Sequence, residues 1–240
     1  MEKGDGAKRR IRGWWTGVAA ALLVSFLLAW TSAATAQIAV DLQLVLAVDA
    51  SASVEDPALD FQLAGHAAAF RDPAVIAAIG GGARGRIVVS LVSWSDPTAF
   101  DVLIPWTVIG DPASVRAFAA AIDAVPRRDF AGSTGIGAAM LHAAALFRSS
   151  GASAPRRIID LVSNGFNNIG IIPEIARDQV TAEGITVNGL VILDQVSWLA
   201  DYFATHVVGG PAAFVRVAEG RASFSSAILD KLKWEIAAAP

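Results

Sequence analysis

Leu42-Gln43-Leu44-Val45-Leu46-Ala47-Val48 is an almost unbroken apolar run. A strand with one wet face alternates apolar and polar side chains, so a run apolar on both sides belongs to a strand covered on both faces. The rest of the chain supplies the cover. Asp56-Pro57 and Asp111-Pro112 each put a capping aspartate before a proline, which opens helices running toward Phe70 and about Val125. Ile136, Met140, Ala143, Ala144 and Phe147 recur at helical spacing and predict an amphipathic helix. Ile87 to Val92, Ile158 to Val162, Thr186 to Leu193 and Phe214 to Ala218 read as further strands, and Ser223 to Ile236 as a closing helix. Phe100 to Val108 reads as an edge strand, because Pro105 cannot donate to a ladder. Alternating strands and helices predict one α/β domain: a doubly wound, mostly parallel central sheet, helices on both faces, and one antiparallel edge strand.

Composition then limits the chemistry. With 54% apolar and 17% charged residues in 240, the chain can bury a large core and is not disordered. There is no cysteine, which excludes disulfides, thiolate metal sites and cysteine nucleophiles, and three scattered histidines do not make a histidine-rich zinc site. A net charge of −3 gives no reason to expect nucleic acid as a partner. What remains is oxygen.

The first 36 residues are expected to leave. Lys8, Arg9, Arg10 and Arg12 precede an apolar stretch from about Trp14 to Trp30, and Ala34-x-Ala36 completes a secretory signal with cleavage before Gln37. The alternative is an uncleaved anchor, for which the stretch is a little short of the roughly 20 residues a span needs. Cleavage removes five basic and two acidic residues and leaves 14 against 20, a net charge of −6. The expected organisation is a signal peptide over 1–36 and an acidic domain over 37–240, periplasmic or secreted and without a membrane segment after cleavage.

In an open α/β sheet, ligands bind beyond the carboxyl ends of the strands. After the first strand stands Asp49-Ala50-Ser51-Ala52-Ser53, in which an extended path aims one carboxylate and two hydroxyls to one side. Such oxygens suit Mg²⁺ or Mn²⁺, but the same residue types cap helices, and spacing leaves both readings open. Gly132-Ser133-Thr134-Gly135-Ile136-Gly137 precedes a helix; its N–H groups could hold an anion, although it lacks the lysine of a phosphate loop. Thr134 offers a further hydroxyl, or an ordinary cap. Ser163-Asn164-Gly165-Phe166-Asn167-Asn168 follows a buried strand and reads either as a functional loop or as a turn.

Taken together, Asp49-x-Ser51-x-Ser53, Thr134 opening a helix, and a polar Gly-containing loop after a buried strand resemble the von Willebrand factor A domain. More narrowly, Val40 to Ser53, Arg157-Ile158-Ile159-Asp160, Asn167-Asn168, Gly209 to Phe214 and Lys231 to Ile236 make the chain similar to a bacterial family of exported A-like proteins of uncharacterised function. The resemblance implies the A-domain fold and a metal-ion-dependent adhesion site formed by Asp49, Ser51, Ser53, Thr134 and Asn164. It also implies a protein partner that offers an acidic residue to the metal, in place of catalysis. One departure matters: the family pattern has aspartate where this chain has Asn164. With Asp49 as the only matching carboxylate, ion and ligands sum to +1, which weakens metal affinity and strengthens the pull on an incoming carboxylate. Asp129 is a carboxylate that could compensate.

An enzymatic role is not expected. Ser51 and Ser53 lie in no G-x-S-x-G elbow, and His66 and His142 are expected at the surface or its boundary. Trp94, Trp106, Trp198 and Trp234 are expected in core or boundary packing. The leading function is an exported, divalent-metal-dependent protein-binding module. An interaction or structural domain with a degenerate, metal-free site is the alternative, and a hydrolase a distant third.

Overall fold

Strand β1 (Ile38–Ala39) leads directly into β2 (Leu42–Asp49), every residue of which is buried. The structure is a computed structural model that describes residues 37–51, 56–126, 132–194 and 196–237. Helices α1 (Asp56–Arg71) and α2 (Pro73–Gly80) follow, then β3 (Ile87–Trp94), β4 (Phe100–Ile109) and α3 (Pro112–Asp123). Next come α4 (Ile136–Leu146), β5 (Ala152–Ser153), β6 (Arg156–Ser163), α5 (Pro173–Ala182) and β7 (Thr186–Ile192). Helix α6 (Leu199–Tyr202), β8 (Val215–Ala218) and α7 (Arg221–Ala237) close the fold.

The central sheet has the order β4-β3-β2-β6-β7-β8. Every neighbouring pair is parallel except β3–β4, so the doubly wound sheet with one antiparallel edge strand is as expected. Pro105 falls where the β3–β4 register shifts, and Ser90 Oγ donates to the Ile104 carbonyl there at 2.8 Å. A short parallel β1–β5 pair, which local sequence did not announce, lies outside the main sheet. Gln43, the polar member of the founding run, is satisfied by donating to the Ala152 carbonyl at 2.6 Å.

Pleating splits the core. Leu42, Leu44, Leu46 and Val48 face one layer with Phe70, Phe118, Phe224 and Ile228, whereas Val45 and Ala47 face the other with Ile136, Met140, Ala176 and Val180. In the first layer α1 and α7 cross closely at Gly65, where a Cβ would stand 2.7 Å from the Phe224 ring. The cap predicted at Asp111 forms, its Oδ1 accepting from the Ala113 and Ser114 N–H groups at 2.8 Å each. Asp72-Pro73 opens α2 by the same device.

Two expectations need correcting. His66 is fully buried, because α1 is packed by both α3 and α7 and so hides more than one stripe of its surface. Its Nδ1 donates to the Gln62 carbonyl at 2.7 Å. Around it lies a buried polar cluster beneath α7: Lys231 Nζ is 2.6 Å from Asp160 Oδ1 and also pairs with Glu235, which accepts from Asn188 Nδ2 at 2.8 Å. Trp94 and Trp106 pack as expected, but Trp198 and Trp234 are 50% and 63% exposed. Among the described residues, no helix is long and apolar enough to cross a membrane.

Candidate metal centre

The chain leaves β2 toward β3 on one side of the sheet and reaches β6 on the other, so a crevice opens beyond the carboxyl ends of β2 and β6. Asp49 ends β2 and Ser163 ends β6. The Asp49 carboxylate is fully buried in that crevice. Its Oδ1 accepts from the Ser51 N–H at 2.8 Å, the local turn that aspartate favours, and its Oδ2 accepts from Ser163 Oγ at 2.5 Å. Thr134 Oγ1 donates to Ser51 Oγ at 3.2 Å across 83 residues of sequence. The Asn164 N–H also reaches Asp49, and Asn164 is buried. The fold thus brings together Asp49, Ser51, Thr134 and the start of the Asn164 loop; Ser53 and Asp129 lie outside the described residues.

Burial raises the pKa of Asp49, and hydrogen bonds from Ser163, Ser51 and Asn164 oppose the rise; among the described residues no charged side chain contributes. A buried carboxylate with hydroxyls at hand and no counter-charge among these influences is a donor set that fits a hard divalent cation. The described residues contain no group of three or more His, Cys, Asp or Glu able to hold a metal, and the donors they offer beside the Asp49 carboxylate are hydroxyl and amide oxygens.

The loop 163–168 contributes more than Asn164. Asn168 brackets Thr134: its Oδ1 accepts from the Thr134 N–H at 2.8 Å and its own N–H donates to the Thr134 carbonyl at 2.9 Å. Asn167 Oδ1 accepts from the Gly137 N–H at 3.2 Å, and the Gly135 N–H donates to the Ser95 carbonyl at 2.7 Å. The Thr134, Gly135 and Gly137 N–H groups are thus occupied within the protein and are not available to an anion. Gly137 permits the approach, since a Cβ there would lie 2.4 Å from the Ile171 carbonyl oxygen. Ser163 and Asn168 were visible in sequence only as polar residues after an apolar strand. Ser95, whose buried Oγ has no hydrogen-bond partner among the described residues, gave no signal at all.

A doubly wound sheet with an antiparallel edge and this loop set at its switch point is the von Willebrand factor A fold, and solved structures agree. Proximal thread matrix protein 1 from the mussel byssus superposes with a TM-score of 0.62 at 16% identity, covering 84% of this chain and 49% of its own. The pilus adhesin SpaC from Lactobacillus rhamnosus GG gives 0.58 at 14% identity, covering 82% and 30%. A von Willebrand factor type A protein from Catenulispora acidiphila gives 0.58 at 16%, covering 82% and 42%. At such identities the likeness shows the fold, and the chain spans half or less of each of these proteins. One structure of the mussel protein has a zinc-occupied metal-ion-dependent adhesion site. The chain belongs to the family described as "Protein of unknown function (DUF1194)", which matches residues 39–240. No curated protein matches it in sequence.

Proposed function

We propose that this chain is an exported protein-binding module in which Asp49, Ser51, Ser53, Thr134 and Asn164 hold Mg²⁺ or Mn²⁺ and an acidic side chain of a protein partner completes the coordination. The observation that carries this reading is the meeting of a buried Asp49 carboxylate with the Ser51 and Thr134 hydroxyls at the switch point of the sheet, with no counter-charge on Asp49 among the described residues. The cation would supply a positive position that captures a carboxylate. The chain's own residues do the positioning: Ser163 fixes the Asp49 carboxylate, and Asn168 fixes Thr134. That related folds occur in a matrix protein with an occupied metal site and in a pilus adhesin supports adhesion. The histidine rings are engaged elsewhere, by the Gln62 carbonyl, the Pro97 carbonyl and Glu174, which supports binding over hydrolysis. Calorimetric titration of residues 37–240 with Mg²⁺ and Mn²⁺ tests the reading. Saturable one-site binding that disappears in Asp49→Ala is expected; no binding to the wild type would leave a metal-free interaction domain.

Asn164→Asp adds a negative charge beside the ion. At 4–6 Å and an effective dielectric near 20 the Coulomb gain is about 3–4 kcal/mol. Desolvation and screening leave about 1–2 kcal/mol, roughly tenfold in Mg²⁺ affinity. The better-neutralised ion should hold an acidic partner less tightly. Equal Mg²⁺ affinity in the two proteins would remove the Asn164 loop from the site. For export, protein recovered from the cell envelope should have the intact mass of a chain starting at Gln37; retention of residues 1–36 would indicate an anchor.

A further inference from the structure

An aromatic shelf is attached to the candidate metal centre. Phe166 and Trp198, 42% and 50% exposed, stand with ring centroids 5.2 Å apart, and Tyr202 meets them edge-on at 6.4 and 5.9 Å. Ile169 and Ile172, 40% and 56% exposed, lie on the same loop as Phe166. Hydrogen bonds tie this surface to the site. The Asn167 N–H donates to the Tyr202 hydroxyl at 3.3 Å, while the adjacent Asn168 brackets Thr134. Phe166 is two residues beyond Asn164. The rings and the Thr134 hydroxyl are therefore parts of one braced unit, a polar position beside an apolar one. Large half-exposed side chains gathered in this way mark an interaction surface.

Charge narrows what can dock there. Asp194 and Asp201 are exposed, Asp201 lying between Trp198 and Tyr202 in sequence, and Asp96 stands against the threonine loop, its Oδ2 3.0 Å from where a Gly132 Cβ would be. A single carboxylate can be drawn in by the cation, whereas a run of carboxylates meets this acidic surround. An extended segment advances about 3.3 Å per residue and turns alternate side chains to the same face, so one side chain can reach the ion while the one two residues away reaches the shelf.

We infer that the partner is a protein segment presenting one carboxylate with an aromatic side chain two residues from it and no further acid nearby, the carboxylate directed to the metal and the ring to Phe166 and Trp198. The inference rests on the metal-dependent reading above. The test titrates the purified protein in Mg²⁺ with the capped peptides Gly-Glu-Gly-Phe-Gly, Gly-Glu-Gly-Ala-Gly, Gly-Gln-Gly-Phe-Gly and Glu-Glu-Gly-Phe-Glu, following the tryptophan indole N–H signals by NMR. Gly-Glu-Gly-Phe-Gly should bind about tenfold tighter than the alanine peptide, the scale of burying part of an aromatic ring. It should also bind tighter than the glutamine and the triply acidic peptides. Trp198→Ala and Phe166→Ala, both on exposed side chains, should each cut the phenylalanine preference several-fold and leave Mg²⁺ affinity unchanged. Mg²⁺ binding with equal affinity for the phenylalanine and alanine peptides would overturn the inference alone, as would a preference that survives both substitutions. Absence of Mg²⁺ binding would overturn the underlying reading and the inference with it. Sedimentation showing a dimer that Trp198→Ala dissociates would assign the shelf to a second copy and overturn it too.

Discussion

Lys231→Met is expected to lower folding stability by about 3–5 kcal/mol at pH 8, because it leaves two buried carboxyl groups without their cation. Lys231, Asp160 and Glu235 are all buried, and the ammonium pairs with both acids. Burial, and then Asp160, pushes the Glu235 carboxyl up from 4.5 to about 7, against the opposing pull of Lys231 and Asn188. A carboxyl with a raised folded pKa binds its proton more tightly folded than unfolded. Its contribution is therefore fully present below about 4.5 and is lost as pH rises to about 7. His66 acts in the opposite sense: burial lowers its pKa, so its contribution is present above 6.5 and is lost as pH falls below that value. Removing Lys231 withdraws what holds Glu235 down, so the alkaline loss extends beyond pH 7 and the deficit against wild type is larger at pH 8 than at pH 6. Urea unfolding at the two pH values measures this. Replacing Asp160, Lys231 and Glu235 together by apolar residues of similar volume should recover most of the stability. A deficit under about 1 kcal/mol at both pH values, the scale of an exposed pair, would show that the cluster is not a buried charge network.

Asp49→Asn should separate the two demands on the crevice. In chelator the variant is expected to match or exceed wild-type stability at pH 8. The raised pKa of Asp49 means that its contribution, like that of Glu235, is present at low pH and is lost as pH rises, while asparagine has no such dependence. In Mg²⁺ the order reverses. At a hundredfold excess over Kd, a ligand that binds only the folded state stabilises it by about 2.7 kcal/mol. The wild type should gain that amount and the variant almost none. Thermal unfolding with and without Mg²⁺ reads both halves. A variant as strongly stabilised by Mg²⁺ as the wild type would remove Asp49 from the ligand set.

Local sequence carried most of the architecture. The apolar runs at Leu42–Val48 and Ile158–Val162, the aspartate–proline caps and the interruption at Pro105 each express a period, a cap or a missing donor, and these act over a few residues. The loops able to hold a ligand were legible for the same reason, because a doubly wound sheet exposes the carboxyl ends of its strands. The character of those loops was not. Which residues brace Thr134, and that the Thr134, Gly135 and Gly137 N–H groups are already spent, depend on Asn167, Asn168 and Ser95, which reach them only through the fold. His66 fits a surface helix in sequence and is buried because α3 and α7 both pack on α1. Asp160, Lys231 and Glu235 read as unrelated charges until β6 and α7 place them within one ion-pair network. By itself, then, the sequence determined the layered sheet, its edge and the oxygen-bearing loops, since these follow from periodicity and capping. Only the tertiary structure decided which distant polar groups share a buried space, because burial and pairing across 83 residues, as between Ser51 and Thr134, are set by packing and not by spacing along the chain.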